Sequence, residues 1–270
     1  MQLGLGSYAC AWAIGVPGYP VVQPLDAIGF VQLAQELGFS LVQIADNLPL
    51  HCLGETEQAL LLEYIRSQNL TVELGTRGVQ RDHLITYLRL AQTLGSNILR
   101  VVVDSQNCQP SSEDVIRYIG AALPEFERAN VTLAIENHDR FSARTLVGII
   151  TTLASPYVGI CLDTVNSFGS LEGPEVVIDT LAPYTVNLHI KDFDIRRAGH
   201  NMGFSIFGCP AGQGRLDIPK LIQQLEQYGR CQTAVLELWP APEPTIDASI
   251  AKEQLWLRQS VAYLQQLATV

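Results

Sequence analysis

Short runs of aliphatic and β-branched residues alternate with longer amphipathic stretches along the whole of this 270-residue chain. The short runs predict strands at 3–7, 41–45, 71–75, 98–104, 131–136, 158–163, 185–190 and 233–237. Between them lie segments such as LDAIGFVQLAQELG, ETEQALLLEYIRSQN, VQRDHLITYLRLAQTLG and SSEDVIRYIGAALPEFERAN. Apolar residues recur there every three or four positions, the period of a helix with one buried face. Gly38, Asn69, Gly95 and Asn130 close these segments, as left-handed helix C-caps do. Strict strand–helix alternation points to a parallel sheet, and eight such units to a closed (β/α)8 TIM barrel, a single domain over 1–270. An open doubly wound sheet is the competing arrangement.

Side-chain parity within the strands favours closure. In TLAIE, Leu133 and Ile135 share one face while Thr132, Ala134 and Glu136 share the other. The same division sets Ile160 and Leu162 against Gly159, Cys161 and Asp163. It sets Val186 and Leu188 against Thr185, Asn187 and His189, and Ala234 and Leu236 against Thr233, Val235 and Glu237. One face suits packing on helices; the other, smaller or polar, suits a narrow barrel interior.

The last inward residue of each of these four strands is a metal-ligand type: Glu136, Asp163, His189 and Glu237. Functional groups of such barrels sit at the C-terminal strand ends, and neighbouring strands run about 4.8 Å apart, so four inward side chains can converge. Three converging carboxylates repel and raise one another's pKa, and one divalent cation removes the conflict. A mixed Asp/Glu/His set suits Mn²⁺, Mg²⁺, Co²⁺ or Zn²⁺.

Composition narrows the partners. A net charge of −10 and a pI near 4.9 argue against nucleic acid and anionic membrane surfaces. Uninterrupted apolar runs stay well short of the roughly 18 residues of a membrane span. Six scattered cysteines, none in a CxxC pair, read as reduced thiols of a cytoplasmic protein. GQGRLD at 212–217 lacks the third glycine and the preceding strand of a dinucleotide fingerprint, and reads as a turn into a helix.

AIENH, CLDTVNS, LHIKD, GQGRLDIPKLIQQL and VLELW, in that order and spacing, resemble the xylose isomerase-like TIM barrel superfamily, in its sugar phosphate isomerase/epimerase group. The resemblance covers nearly the whole chain. It implies one divalent metal held by Glu136, Asp163, His189 and Glu237, a small carbohydrate substrate and a possible homodimer. Ketose epimerases of this group use their two strand-end glutamates both to hold metal and to move protons, which here assigns catalysis to Glu136 and Glu237. The implied activity is a sugar or sugar phosphate isomerase/epimerase working through an enediolate. The alternatives are an inosose- or dehydroshikimate-type dehydratase on the same scaffold, or a sugar-binding barrel without catalysis. One departure stands out: relatives often carry a histidine three residues after the strand-six aspartate, and this chain has Asn166, which donates a hydrogen bond but carries no titrating proton.

Further candidates for substrate contact are His138, Asn166 and Lys191 near the strand ends, Arg196 and Arg197 on an expected long loop after the seventh strand, and Trp12 and Trp239 as apolar walls. Tyr8 belongs with these aromatics, and Asn137 is expected to orient backbone. Lower in the barrel, parity turns Gln43, Glu73 and Arg100 inward, with Glu73 and Arg100 expected as a buried ion pair.

Overall fold

The computed structural model describes residues 1–267. Its first half runs β1 (Gln2–Gly6), α1 (Ala11–Ile14), α2 (Ala27–Glu36), β2 (Leu41–Ile44), α3 (Glu55–Ser67), β3 (Thr71–Arg77), α4 (Arg81–Leu94), β4 (Ile98–Val102) and α5 (Ser112–Ala129). The second half runs β5 (Thr132–Glu136), α6 (Ala143–Leu153), β6 (Val158–Asp163), α7 (Pro174–Leu181) and β7 (Thr185–Ile190). It ends with β8 (Asp192–Arg197), β9 (Phe204–Cys209), α8 (Ile218–Glu226), β10 (Thr233–Leu236) and α9 (Ile246–Leu267). Eight strands close into one parallel barrel in the order β1-β10-β7-β6-β5-β4-β3-β2, as the alternation predicts.

Local chemistry sets the helix ends. Asp26, Ser111, Ser142 and Asp217 each accept a hydrogen bond from a backbone N–H in the first turn of α2, α5, α6 and α8. Gly38, Asn69, Gly95 and Asn130 all take positive φ, as expected of the residues that end α2, α3, α4 and α5. The main apolar core lies between barrel and helices, where Leu133, Ile135, Ile160, Leu162 and Leu188 are fully buried. No helix among the described residues is long and apolar enough to cross a membrane.

Two features depart from expectation. The segment after β7 is an antiparallel hairpin, β8 against β9, rather than a long loop. Parity also slips at the start of β7. Ile160 pairs with Thr185 but Cys161 with Asn187, so Val186 is an extra residue, a β-bulge. Val186 packs inward with Ala134 and Cys161, whereas the Thr185 hydroxyl donates to the Leu181 carbonyl at 2.9 Å. Gly159 makes the bulge feasible, because a Cβ there would stand 2.6 Å from Val186 Cγ1. Past the bulge the expected parity resumes, and Asn187 and His189 face the interior.

Candidate active site

The C-terminal ends of β5, β6, β7 and β10 bring Glu136, Asp163, His189 and Glu237 together, all buried. His189 Nδ1 lies 3.6 Å from Glu136 Oε2, 3.9 Å from Asp163 Oδ2 and 3.4 Å from Glu237 Oε1. None of these four atoms has a directed hydrogen bond. Glu136 Oε2 and Asp163 Oδ2 are met by the Arg100 and Lys191 cations, whereas Glu237 Oε1 meets only His189 Nδ1. Ligand atoms of Asp163, His189 and Glu237 all lie within 4.8 Å of one another, and Glu136 meets the same histidine in a second such group with Cys161. Three carboxylate oxygens around an imidazole nitrogen fit a divalent cation.

β1 makes room for this cluster. A Cβ on Gly6 would sit 2.8 Å from Val235 Cγ1 and 3.0 Å from Glu237 Cγ, so beside the present Val235 a side chain at 6 would press on Glu237. Asn137 locks the next corner, donating to the Asp163 carbonyl at 2.8 Å and accepting from the Asp163 N–H at 2.7 Å. Asp163 Oδ1 is taken by the N–H groups of Val165 and Asn166, which leaves Oδ2 for the cluster.

The chain's own cations compensate much of this carboxylate charge. Lys191 Nζ bridges Asp163 Oδ2 at 2.9 Å and Glu237 Oε2 at 2.8 Å. Arg100 pairs through Nε with Glu136 Oε2 and through Nη1 with Asp46 Oδ1 at 3.0 Å. Burial alone would lower the Lys191 pKa, but Asp163, Glu237 and Glu136 outweigh it and raise it above the ordinary lysine value. Burial would likewise raise Glu237, yet His189, Lys191 and Arg100 lower it to about 2. Both groups are therefore held in their charged forms.

A family model described as xylose isomerase-like TIM barrel matches residues 31–265. This chain belongs to that family. Among its relatives, 3-oxo-isoapionate decarboxylase of Pectobacterium atrosepticum is 32% identical over 264 residues, covering 98% of this chain and 95% of its own length. The solved D-psicose 3-epimerase of Clostridium cellulolyticum H10, with D-tagatose, superposes at a TM-score of 0.73 and 16% identity, covering 100% of this chain and 99% of that one. A xylose isomerase-like TIM barrel protein of Mycobacterium smegmatis, in complex with magnesium, gives 0.68 and 13%, covering 97% of both chains. The two solved structures are likenesses of fold.

Within this xylose isomerase-like barrel the other candidate residues divide. Asn166 Nδ2 donates to Glu136 Oε1 at 2.7 Å, and Lys191 joins the cluster directly. His138 stands at the rim, where its Nε2 meets Arg77 Nη2 at 3.2 Å and its Nδ1 meets Asp139. Both indoles are tied to backbone: Trp12 Nε1 donates to the Pro240 carbonyl and Trp239 Nε1 to that of Asp192, each at 3.0 Å. Arg196 and Arg197 are exposed and engaged within their own hairpin, with Asp194 and the Asn201 carbonyl.

The expected Glu73–Arg100 pair does not form. Arg100 lies in register with Gly75, two residues beyond Glu73, so its long side chain reaches up to the rim rather than down to Glu73. Glu73 instead accepts from Gln43 Nε2 at 3.0 Å and Asn187 Nδ2 at 2.9 Å. Asp46 joins Arg100 to Arg77, with Arg77 Nε at 3.3 Å, and accepts from the Tyr8 hydroxyl at 2.8 Å. The sequence signal for Arg100 was an arginine at an inward position, one strand away from Glu136. GQGRLD also has a use unseen from sequence: the N–H groups of Gly212, Gly214 and Leu216 all donate to the buried Asp192 carboxylate.

Proposed function

We propose that this protein is a divalent-metal-assisted lyase that removes the carboxyl group of a 3-oxo sugar acid through an enediolate. The observation that carries this reading is the state of the two strand-end glutamates. In each, one oxygen faces His189 Nδ1, and the other is capped by a donor: Glu136 Oε1 by the Asn166 amide, Glu237 Oε2 by the Lys191 ammonium. A two-base epimerase needs those second oxygens free to take and return protons. Decarboxylation needs no base, only stabilisation of an enolate and one proton, and this site is rich in donors. The relative 32% identical along nearly its full length, a 3-oxo-isoapionate decarboxylase, supports the same reaction class.

Glu136, Asp163, His189 and Glu237 would hold the ion, with Mn²⁺, Mg²⁺, Co²⁺ and Zn²⁺ all compatible with the donor set. Bound there, a divalent cation supplies Lewis-acid polarisation of a carbonyl oxygen. The chain's own groups do the rest. Arg77, partly exposed beside His138, receives the substrate carboxylate at the rim. The bond between the carboxyl carbon and C2 breaks, its electron pair moves into C2–C3 and onto the C3 oxygen, and carbon dioxide leaves. Arg100 and Lys191 supply positive charge for the developing oxyanion. Lys191 Nζ then gives C2 its proton.

With 3-oxo-isoapionate and Mn²⁺, carbon dioxide release and entry of one deuterium from D2O into the product are expected, both lost on chelation. No release from this or other 3-oxo sugar acids sinks the proposal. The second reading, the isomerase/epimerase expected from the sequence, is favoured by the convergence of all four strand-end ligands. Deuterium entering a plain ketose without loss of carbon would establish it instead. A dehydratase also needs a base for the α-proton and is set back by the same capped oxygens.

A further inference from the structure

Beneath the cluster, five polar side chains from four barrel strands form one hydrogen-bonded network. Gln43 and Asn187 are fully buried, Glu73 is 2% exposed, and His189 sits directly above them. Gln43 Nε2 donates to Glu73 Oε2 and to Asn187 Oδ1, each at 3.0 Å. Asn187 Nδ2 donates to the same Glu73 Oε2 at 2.9 Å and to Thr233 Oγ1 at 2.9 Å. His189 Nε2 meets Gln43 Oε1 at 2.7 Å.

Donor and acceptor identities leave this arrangement no freedom. Glu73 Oε2 receives two bonds, so both amides must turn their NH2 groups toward it. Burial raises the Glu73 pKa, but a proton on its other oxygen leaves Oε2 an acceptor all the same. Asn187 is turned by the same Glu73 oxygen, which leaves its Oδ1 to face the Cys161 thiol at 3.2 Å and the Gln43 amide. Turning Gln43 over would set its carbonyl against Glu73 Oε2 and Asn187 Oδ1, acceptor against acceptor. The only atom Gln43 can offer His189 is therefore its carbonyl oxygen, and the ring nitrogen facing a carbonyl must carry a proton.

We propose that Glu73 is a positioning residue: acting through Gln43, it holds a proton on His189 Nε2 and leaves Nδ1 as the nitrogen turned to the three carboxylates. The consequence for metal binding rests on the ligand set proposed above; the proton's location does not. A histidine ligand is oriented and made available by the partner of its other nitrogen, and losing that partner typically costs 10–100-fold in metal affinity.

Two readouts test it on the full chain with ¹⁵N-labelled histidine. In metal-free protein, NMR should show an exchange-protected proton on His189 Nε2 in wild type and in Glu73→Gln, which keeps a carbonyl acceptor. Glu73→Leu frees Gln43 to turn over, and that protection should vanish. Zn²⁺ affinity by equilibrium dialysis should fall about 10–100-fold in Glu73→Leu and stay near wild type in Glu73→Gln. Should Glu73→Leu fail to fold, Gln43→Met removes the same carbonyl and carries both readouts. A protected proton on Nδ1 alone, or an Nε2 proton unchanged in the leucine or methionine variant, overturns the proposal. If wild type binds no Zn²⁺, the ligand assignment falls while the NMR result still decides the role of Glu73.

Discussion

Lys191 carries the sharpest consequence at the scale of single residues. Its ammonium lies between two buried carboxylates that also face His189, so it compensates their charge and, in the proposed reaction, would supply the proton from the same position. Lys191→Met, close in length and uncharged, should reduce carbon dioxide release by about 10²-fold or more, the usual weight of a positioned proton donor. Steady-state kinetics at saturating metal would check this; an unchanged kcat would remove Lys191 from the chemistry. The convergence of the four strand-end side chains was legible in the sequence, because period-two parity and strand order depend only on local pattern. Arg100 was misassigned for a physical reason. Parity gives the direction of a side chain but not its reach, and barrel stagger sets Arg100 level with Gly75 rather than Glu73. The Gln43–Glu73–Asn187 network joins positions up to 144 residues apart, and no sequence spacing encodes it.

Among the elements, the β8–β9 hairpin was the one hidden from sequence. Its turn spans 198–203 rather than an Asn-Gly pair, and Arg196–Arg197 disguised the alternation of Phe193 and Ile195. Asn201 and Gly203, both with positive φ, were the available clue. The hairpin is anchored by Asp192, whose carboxylate takes N–H groups from Phe193, Gly212, Gly214 and Leu216. Asp192→Ala leaves two buried donors, the N–H groups of Phe193 and Leu216, unmatched and should destabilise by about 3 kcal/mol. At this chain size that corresponds to a Tm lowered by roughly 6–12 °C, measurable by calorimetry. The helices were read more successfully, since their caps are single residues with a strong local preference.

For the whole molecule, closure rests on contacts between the chain's two ends. β1 pairs with β10, and Glu253 of α9 accepts the backbone N–H of Trp12 at 2.7 Å and of Ala13 at 3.0 Å. Burial raises Glu253 to about 7, against the lowering by those two N–H groups. An acid whose pKa is higher folded than unfolded binds more protons when folded, so its contribution is present at low pH. That contribution is lost as pH rises from about 4.5 through 7, by up to on the order of 3 kcal/mol. Urea unfolding of wild type should weaken from pH 5 to pH 8 relative to Glu253→Gln, which has no proton to lose. Parallel slopes in the two proteins would contradict this. The closed barrel itself was legible because eight repeated units leave few alternatives, whereas the Glu253 tie spans 241 residues without a local signature.

Gly6 has a consequence that reaches into the lineage of this chain. With Val235 and Glu237 both inside contact distance of any carbon added there, a methyl gained at 6 must be matched by one surrendered at 235. Descendants that keep the Glu237 carboxylate in place can let these two sites drift only in concert, a paired substitution rather than two independent ones.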